Sequence, residues 1–398
     1  MKYLKPALQP YLWGSHSFIQ SFLHVFESGP LAEAWFGAHP NAPSKIEGRR
    51  LDEIIATEPA YWLGTQQLKL PFLMKILAAD QALSIQVHPS KGQAEIGFAR
   101  ENELGLPLND PTRNYRDNNH KPELIMALTD FHALCGFRSY AQIIEAFQQC
   151  EITGIFQNFP HFAEEPNATS FAPLYEEIIT RQPLANLNAI LLQLPAEGKW
   201  AQEISWMHEL IKLYPNDNSV ISPLLMNLIL LKPYQAISLE AKIVHAYLRG
   251  AGIEIMANSD NVLRAGLTSK HIDTVELLRV MSVEPSSPIV IDPQKDINQL
   301  IEYHSPVKDF ALYRIILQGQ MQLPPMPGPK ILLGLQGRAE LISGVQSLML
   351  NKADSIIIPH EEQNITLMGE AEIVVAGMHK EAQPAGSDLF CFDMIMVD

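Results

Sequence analysis

The chain has 398 residues, enough for two or three compact units, and 47% apolar against 18% charged residues is the balance of a folded soluble protein. A net charge of −15 excludes the clustered Lys and Arg of a nucleic-acid or anionic-membrane footprint. An anionic small molecule stays admissible, but only in a local basic pocket.

The first residues, MKYLKPALQPYLWGS, hold no apolar core and no small-residue cleavage site, so no signal peptide is expected. The most apolar stretch, Pro223 to Leu231, is interrupted by Asn227 and is far short of the roughly 20 residues that span a bilayer. Cys135, Cys150 and Cys391 are widely spaced with no CxxC pair, which argues against a disulfide framework or a thiolate zinc site. A reduced, cytoplasmic protein is the expectation.

Residues 1–137 are rich in Pro, Gly and short apolar runs. Within them Leu83 to His88 alternates strictly, which predicts a strand with Ser84, Gln86 and His88 on one face. From 138 to 221 the texture is helical. Trp200, Ile204, Met207 and Ile211 form an amphipathic stripe that Pro215 ends, and 141–150 reads similarly around Ile143, Ile144 and Phe147. Strand texture returns over 222–303. Beyond His304 come short β-branched or aliphatic runs: Ile331 to Leu335, a break at Gly337, Ala339 to Ile342, a break at Gly344, then Ile356 to Ile358 and Ile373 to Val375. Regular short strands separated by turn residues predict an antiparallel barrel or sandwich over 304–398. The expected plan is mainly β with an inserted α-helical domain: β (1–137), helices (138–221), β (222–303), then a further β unit.

Three polar clusters carry the candidate chemistry. Gln86 and His88, two apart on a strand, project to one side about 6.6–6.8 Å apart at the backbone. That spacing serves a shared metal ion, although an isolated Q-x-H is more often a polar strand face. The run Tyr115-Arg116-Asp117-Asn118-Asn119-His120-Lys121-Pro122-Glu123 reads as a polar loop feeding a strand. It offers Glu123 as a carboxylate ligand and His120 and Lys121 for proton transfer or anion binding. The third cluster begins at His245, a second imidazole, and continues to Arg264, which sits among small and apolar residues and calls for an anionic partner, Asp260 or a ligand. Two His, one Gln and one Glu without thiolate suit zinc and several other divalent metals.

These segments resemble the signatures of the type I mannose-6-phosphate isomerases. Tyr115 to Glu123 fits the pattern Y-x-D-x-N-H-K-P-E at every fixed position, and His245 to Lys270 fits the second long signature except at Ser269, where Pro is usual. Gln86-Val87-His88-Pro89 resembles the first metal-ligand pair, and Trp13-Gly14, Ala32-Glu33, Trp35 and Gly37 to Pro40 are typical near the start. The resemblance implies two cupin-type β-barrel (jelly-roll) units, the first carrying the helical insert. It implies one zinc per chain held by Gln86, His88, Glu123 and His245, with Arg264 catalytic. Lys75, Ser84, Lys121 and Asp260 fall in the implied substrate pocket; His120, Lys121 and Lys75 are candidates for proton transfer. The implied reaction interconverts mannose 6-phosphate and fructose 6-phosphate through a cis-enediolate, in a monomer or weak homo-oligomer whose partner is the sugar phosphate. Pro233-Tyr234-Gln235 stands where the family has P-G-E, and Val244 where Pro is common. Gly tolerates positive φ and Tyr does so poorly, so a different turn is expected there. A silent sugar-phosphate sensor, an iron oxygenase and an isomerase of another aldose are the competing readings.

Overall fold

The computed structural model describes residues 1–64, 69–180, 183–184, 186–293 and 296–379; Cys391 lies outside them. Contacts divide the chain into two units. One gathers Met1–Pro6, Phe36–Phe72 and the described part of 294–398, and the other Ala7–Trp35 and Leu73–Pro293. No helix among the described residues is long and apolar enough to cross a membrane.

The larger unit is built on a ten-stranded sheet whose spine is the 13-residue strand His245–Ala257. Its first residues pair with Phe131–Phe137, through His245↔Cys135 and Ala246↔Leu134, and His245 also pairs with Gln86. Its last residues pair with Glu123–Ala127, through Ile255↔Leu124 and Met256↔Glu123. The strand expected over Leu83 to His88 is shorter, Ile85–Val87, and His88 follows it directly. Pro89 explains the early end, since it has no N–H for a ladder and restricts the residue before it.

Helices fill the stretch between the Phe131–Phe137 and Met226–Leu231 strands. Tyr140–Gln149 opens with a capping box in which Ser139 and Gln142 bond each other's backbone N–H. Ala201–Leu213 buries Ile204, Met207, Leu210 and Ile211 and stops before Pro215, as the stripe predicts. The insert is tied to the sheet by Phe137, whose ring lies 4.9 Å from Phe171 and 5.0 Å from Tyr175, edge-on to both. The apolar run from Pro223 is no single element: Ser222–Leu225 is a helical turn and Met226–Leu231 a strand.

The smaller unit is a seven-stranded antiparallel sheet. Its order is Lys2–Tyr3, Ser355–Ile358, Lys330–Ser343, Ile365–Gly377, Ala311–Leu323, Ile301–Tyr303, with Gln346–Asn351 beside Lys330–Ser343. Tyr313, Ile315, Leu317, Ile356, Ile358, Ile373 and Val375 put one strand face into a common core at the two-residue period. The break expected at Gly337 does not occur, because Lys330–Ser343 is one strand with a register shift between Gly334 and Gln336. Gly337 serves that irregularity at φ 69°, where an added Cβ would stand 2.1 Å from the Glu370 carbonyl oxygen.

Candidate metal centre

Gln86 is flanked in register by His245 on one side and Arg264 on the other. Directly opposed residues of antiparallel strands point to one face, so Arg264, Gln86 and His245 share theirs. Glu123 opens its strand, and His88 leaves the end of the Gln86 strand. His88 Nε2 lies 3.3 Å from Glu123 Oε1, and His245 Nε2 lies 3.4 Å from Oε2. The two imidazole centroids are 5.1 Å apart, and all three side chains are buried.

The tautomers follow from the far side of each ring. His88 Nδ1 is 2.7 Å from the Asn261 carbonyl oxygen and His245 Nδ1 is 3.0 Å from that of Ile243. A carbonyl oxygen only accepts, so each Nδ1 carries the proton and each Nε2 presents a lone pair. Glu123 Oε2, His88 Nε2 and His245 Nε2 are buried without a hydrogen-bond partner. Lone pairs facing one another within 4.8 Å repel unless a cation lies among them, so the donor set fits a divalent metal. Gln86 shares the face of His245 and would add an amide oxygen.

Charges around the cluster favour these states. Burial, with Lys121 nearby, pushes the His88 imidazole down to about 4, so it is neutral and ready to coordinate at pH 7. Burial alone would raise the Glu123 carboxyl, but Lys121, 3.1 Å from Oε1, and the facing imidazoles hold it well below its ordinary value.

Beside the metal cluster is a second buried group. Lys75 Nζ lies 2.9 Å from Glu254 and 3.3 Å from Glu33, with the Trp35 ring centroid 5.4 Å away. Tyr247 Oη donates to the other Glu254 oxygen at 2.9 Å, and Trp35 Nε1 donates to Glu33 at 2.9 Å. Burial would lower the Lys75 ammonium, yet the two carboxylates raise it, so Lys75 is a fixed cation. Burial raises the Glu254 carboxyl, and Lys75 only partly offsets this.

Arg264 is half-buried. Burial first, and Arg116 second, lower its guanidinium; burial, Arg264 and Arg116 together lower Lys270. These three cations therefore face one region, and none has a carboxylate within ion-pair distance among the described residues. Asp260, expected as the partner of Arg264, donates its backbone N–H to Asp117 Oδ2 at 2.7 Å. Three neighbouring like charges in a chain of net charge −15 make a local positive field of the kind an anionic ligand requires.

Other expected residues fall nearby. Ser84 is half-buried just ahead of the Gln86 strand, and His120 is half-buried at the end of the Tyr115 to Glu123 run. Tyr115 itself anchors that run: its ring packs on Gly97 in helix Lys91–Glu103, where a Cβ would meet it at 2.3 Å, and its hydroxyl donates to Glu276 at 2.7 Å. Sequence reasoning assigned no role to Arg116, Lys270, Tyr247 or Glu254. Arg116 and Lys270 stand near the two ends of the polar clusters, where excess cations in an acidic chain were the available signal. Tyr234 adopts φ 72° despite its side chain, so the turn keeps the left-handed geometry expected of Gly.

A family model described as "Phosphomannose isomerase type I, catalytic domain" matches residues 1–140, and "Mannose-6-phosphate isomerase, cupin domain" matches 300–378. The chain is 35% identical over 387 residues to the mannose-6-phosphate isomerase of Escherichia coli (strain K12), covering 94% of this chain and 98% of that one. It is 31% identical to the human mannose-6-phosphate isomerase, covering 84% and 87%. Among solved structures, the apo mannose 6-phosphate isomerase from Salmonella typhimurium matches with TM-score 0.87 at 35% identity, covering 95% of this chain and 99% of that one. A zinc-bound mannose 6-phosphate isomerase matches with TM-score 0.87 at 34% identity and the same coverage.

Proposed function

The chain belongs to the type I phosphomannose isomerase family, and from that premise we propose that it interconverts mannose 6-phosphate and fructose 6-phosphate with one zinc ion. The observation that carries the reading is the facing of three buried, unpartnered lone pairs, on His88, Glu123 and His245, beside three cations without carboxylates. Gln86 completes the ligand set as a neutral oxygen donor, so a bound divalent ion keeps about one net positive charge. When bound, zinc supplies a Lewis acid that polarises sugar oxygens.

The chain's own residues divide the rest. Arg264, with Arg116 and Lys270, receives the anionic end of the substrate, and Arg264 also faces the charge that develops at C1–C2. Lys121 and Asp260 line the pocket, with Ser84 ahead of the ligand strand. Proton removal at C2 gives a cis-enediolate, and return of a proton at C1 gives the ketose. His120, Lys121 and Lys75 are the candidates for carrying the proton, Lys75 being held by Glu33 and Glu254; histidine is the side chain most used for this work near neutral pH. The two sheets as cupin-type barrels, with residues 138–221 inserted into the catalytic one, belong to the same reading.

The test follows the label. Mannose 6-phosphate deuterated at C2 is incubated with the protein, and the product is followed by NMR. Fructose 6-phosphate with deuterium lost to water supports the enediolate; full retention at C1 would indicate hydride transfer, and no ketose at all would sink the isomerase assignment.

A further inference from the structure

Asn261 is fully buried one residue past Asp260, and it is the common support of the metal end and the cationic end of the site. Its carbonyl oxygen takes the Nδ1–H of His88 at 2.7 Å. Its side-chain Oδ1 accepts the backbone N–H groups of Arg116 at 2.7 Å and Asp117 at 3.2 Å. Its Nδ2 donates to the Asp117 carbonyl at 2.8 Å, to Asp117 Oδ1 at 3.2 Å and to the Asn119 carbonyl at 2.8 Å. Asp117 closes the clasp from the other side, accepting from Ser259 Oγ at 2.8 Å and from the Asp260 N–H at 2.7 Å. One amide thus fixes two loops. The first carries Arg116 and leads into Lys121 and Glu123; the second carries Asp260 and leads into Arg264.

We propose that Asn261 is a positioning residue for this reaction, orienting the His88 imidazole through its backbone and seating Arg116 through its side-chain amide. The proposal rests on the zinc-isomerase reading above. A burial role alone would ask only for a side chain of this volume, whereas this residue uses both amide atoms on the backbone of a single loop. Only an amide satisfies those donors and acceptors together, because a carboxylate keeps the acceptor and loses both N–H groups. Replacing the side chain leaves the backbone carbonyl that meets His88 but undoes the clasp that aims it, and disturbing a group that orients a metal-bound imidazole typically weakens metal binding or activity about 10–100-fold. Here the same change should also loosen Arg116, so it should weaken the grip on the phosphate.

The test compares Asn261→Asp and Asn261→Ala with the unmodified protein. Zinc affinity is read by competition with a chromogenic chelator, melting of the metal-free protein by circular dichroism, and steady-state kinetics at saturating zinc. Expected is a zinc dissociation constant raised about 10-fold or more in both variants, with metal-free melting close to the parent. KM for mannose 6-phosphate should rise more than kcat falls. Unchanged zinc affinity and KM in folded variants would overturn the proposal. So would collapse of metal-free melting in both variants, which would make Asn261 a folding residue. If the parent itself neither binds zinc nor turns over substrate, the isomerase reading is what fails.

Discussion

Arg264 and Arg116 belong to one cationic pocket but stand in it differently. Arg264 is half-buried on the face it shares with Gln86 and His245, so in the proposed reaction its planar fork would meet developing charge in a partly dry site. Arg116 is exposed, where solvent and salt screen its charge. Arg264→Lys should therefore lower kcat about 10²–10³-fold, since a point ammonium does not replace the fork. Arg116→Ala should raise KM about 10-fold and leave kcat within a few-fold, the pattern of lost ground-state binding. Steady-state kinetics on the two variants distinguishes them, and equal losses of kcat would merge their roles. His88 gives a pH test of the metal-free protein. Its imidazole is held to about 4 in the fold against 6.5 when unperturbed. As pH falls from 6.5 to 4 the unfolded chain takes up the proton first, so stability is lost across that window. The loss attributable to His88 is about 2–3 kcal/mol. His88→Gln should flatten urea-unfolding stability between pH 7 and 4.5; an unchanged slope would place the titration elsewhere.

Elements were legible where one physical signal dominated. The Ile204, Met207 and Ile211 stripe gave the Ala201–Leu213 helix because its period has no strand solution. The strand at Gln86 was legible by alternation, although Pro89 cut it short. The unbroken Lys330–Ser343 strand was not, because Gly reads equally as a turn or as a bulge until its partner strand is known. The Tyr234 turn shows the converse. The family's Gly is absent, yet the chain is held at φ 72° by the Tyr234 N–H to the Ala127 carbonyl at 2.7 Å and the Gln235 N–H to the Lys232 carbonyl at 2.9 Å. Left-handed backbone costs a non-glycine residue about 1–2 kcal/mol. Tyr234→Gly should accordingly stabilise the protein by about 1 kcal/mol in urea unfolding, after the entropy of the added Gly is counted. A loss of stability would mean that the Tyr234 side chain contributes more than its backbone strain costs.

At the scale of the whole molecule, the sequence predicted consecutive blocks, while the structure gathers Met1–Pro6 and Phe36–Phe72 with the C-terminal sheet. Long-range strand pairing such as Lys2↔Ile357 has no local signal, so such membership is invisible to periodicity. The candidate ligands were legible because Glu123 and His245 each sit in a long motif and Gln86 and His88 share a short one. Arg116, Lys270 and Asn261 were not, because only folding brings the Tyr115 to Glu123 run against the turn before Arg264. In the proposed reading, one zinc among His88, Glu123, His245 and Gln86 makes this chain an isomerase. Titrating zinc into verified metal-free protein, while recording mannose 6-phosphate turnover at each addition, tests it most directly. Activity should be absent at the start, rise in proportion to zinc and level off at one ion per chain. His245→Ala should shift that titration to far weaker zinc binding. Full turnover in the metal-free protein would contradict the claim.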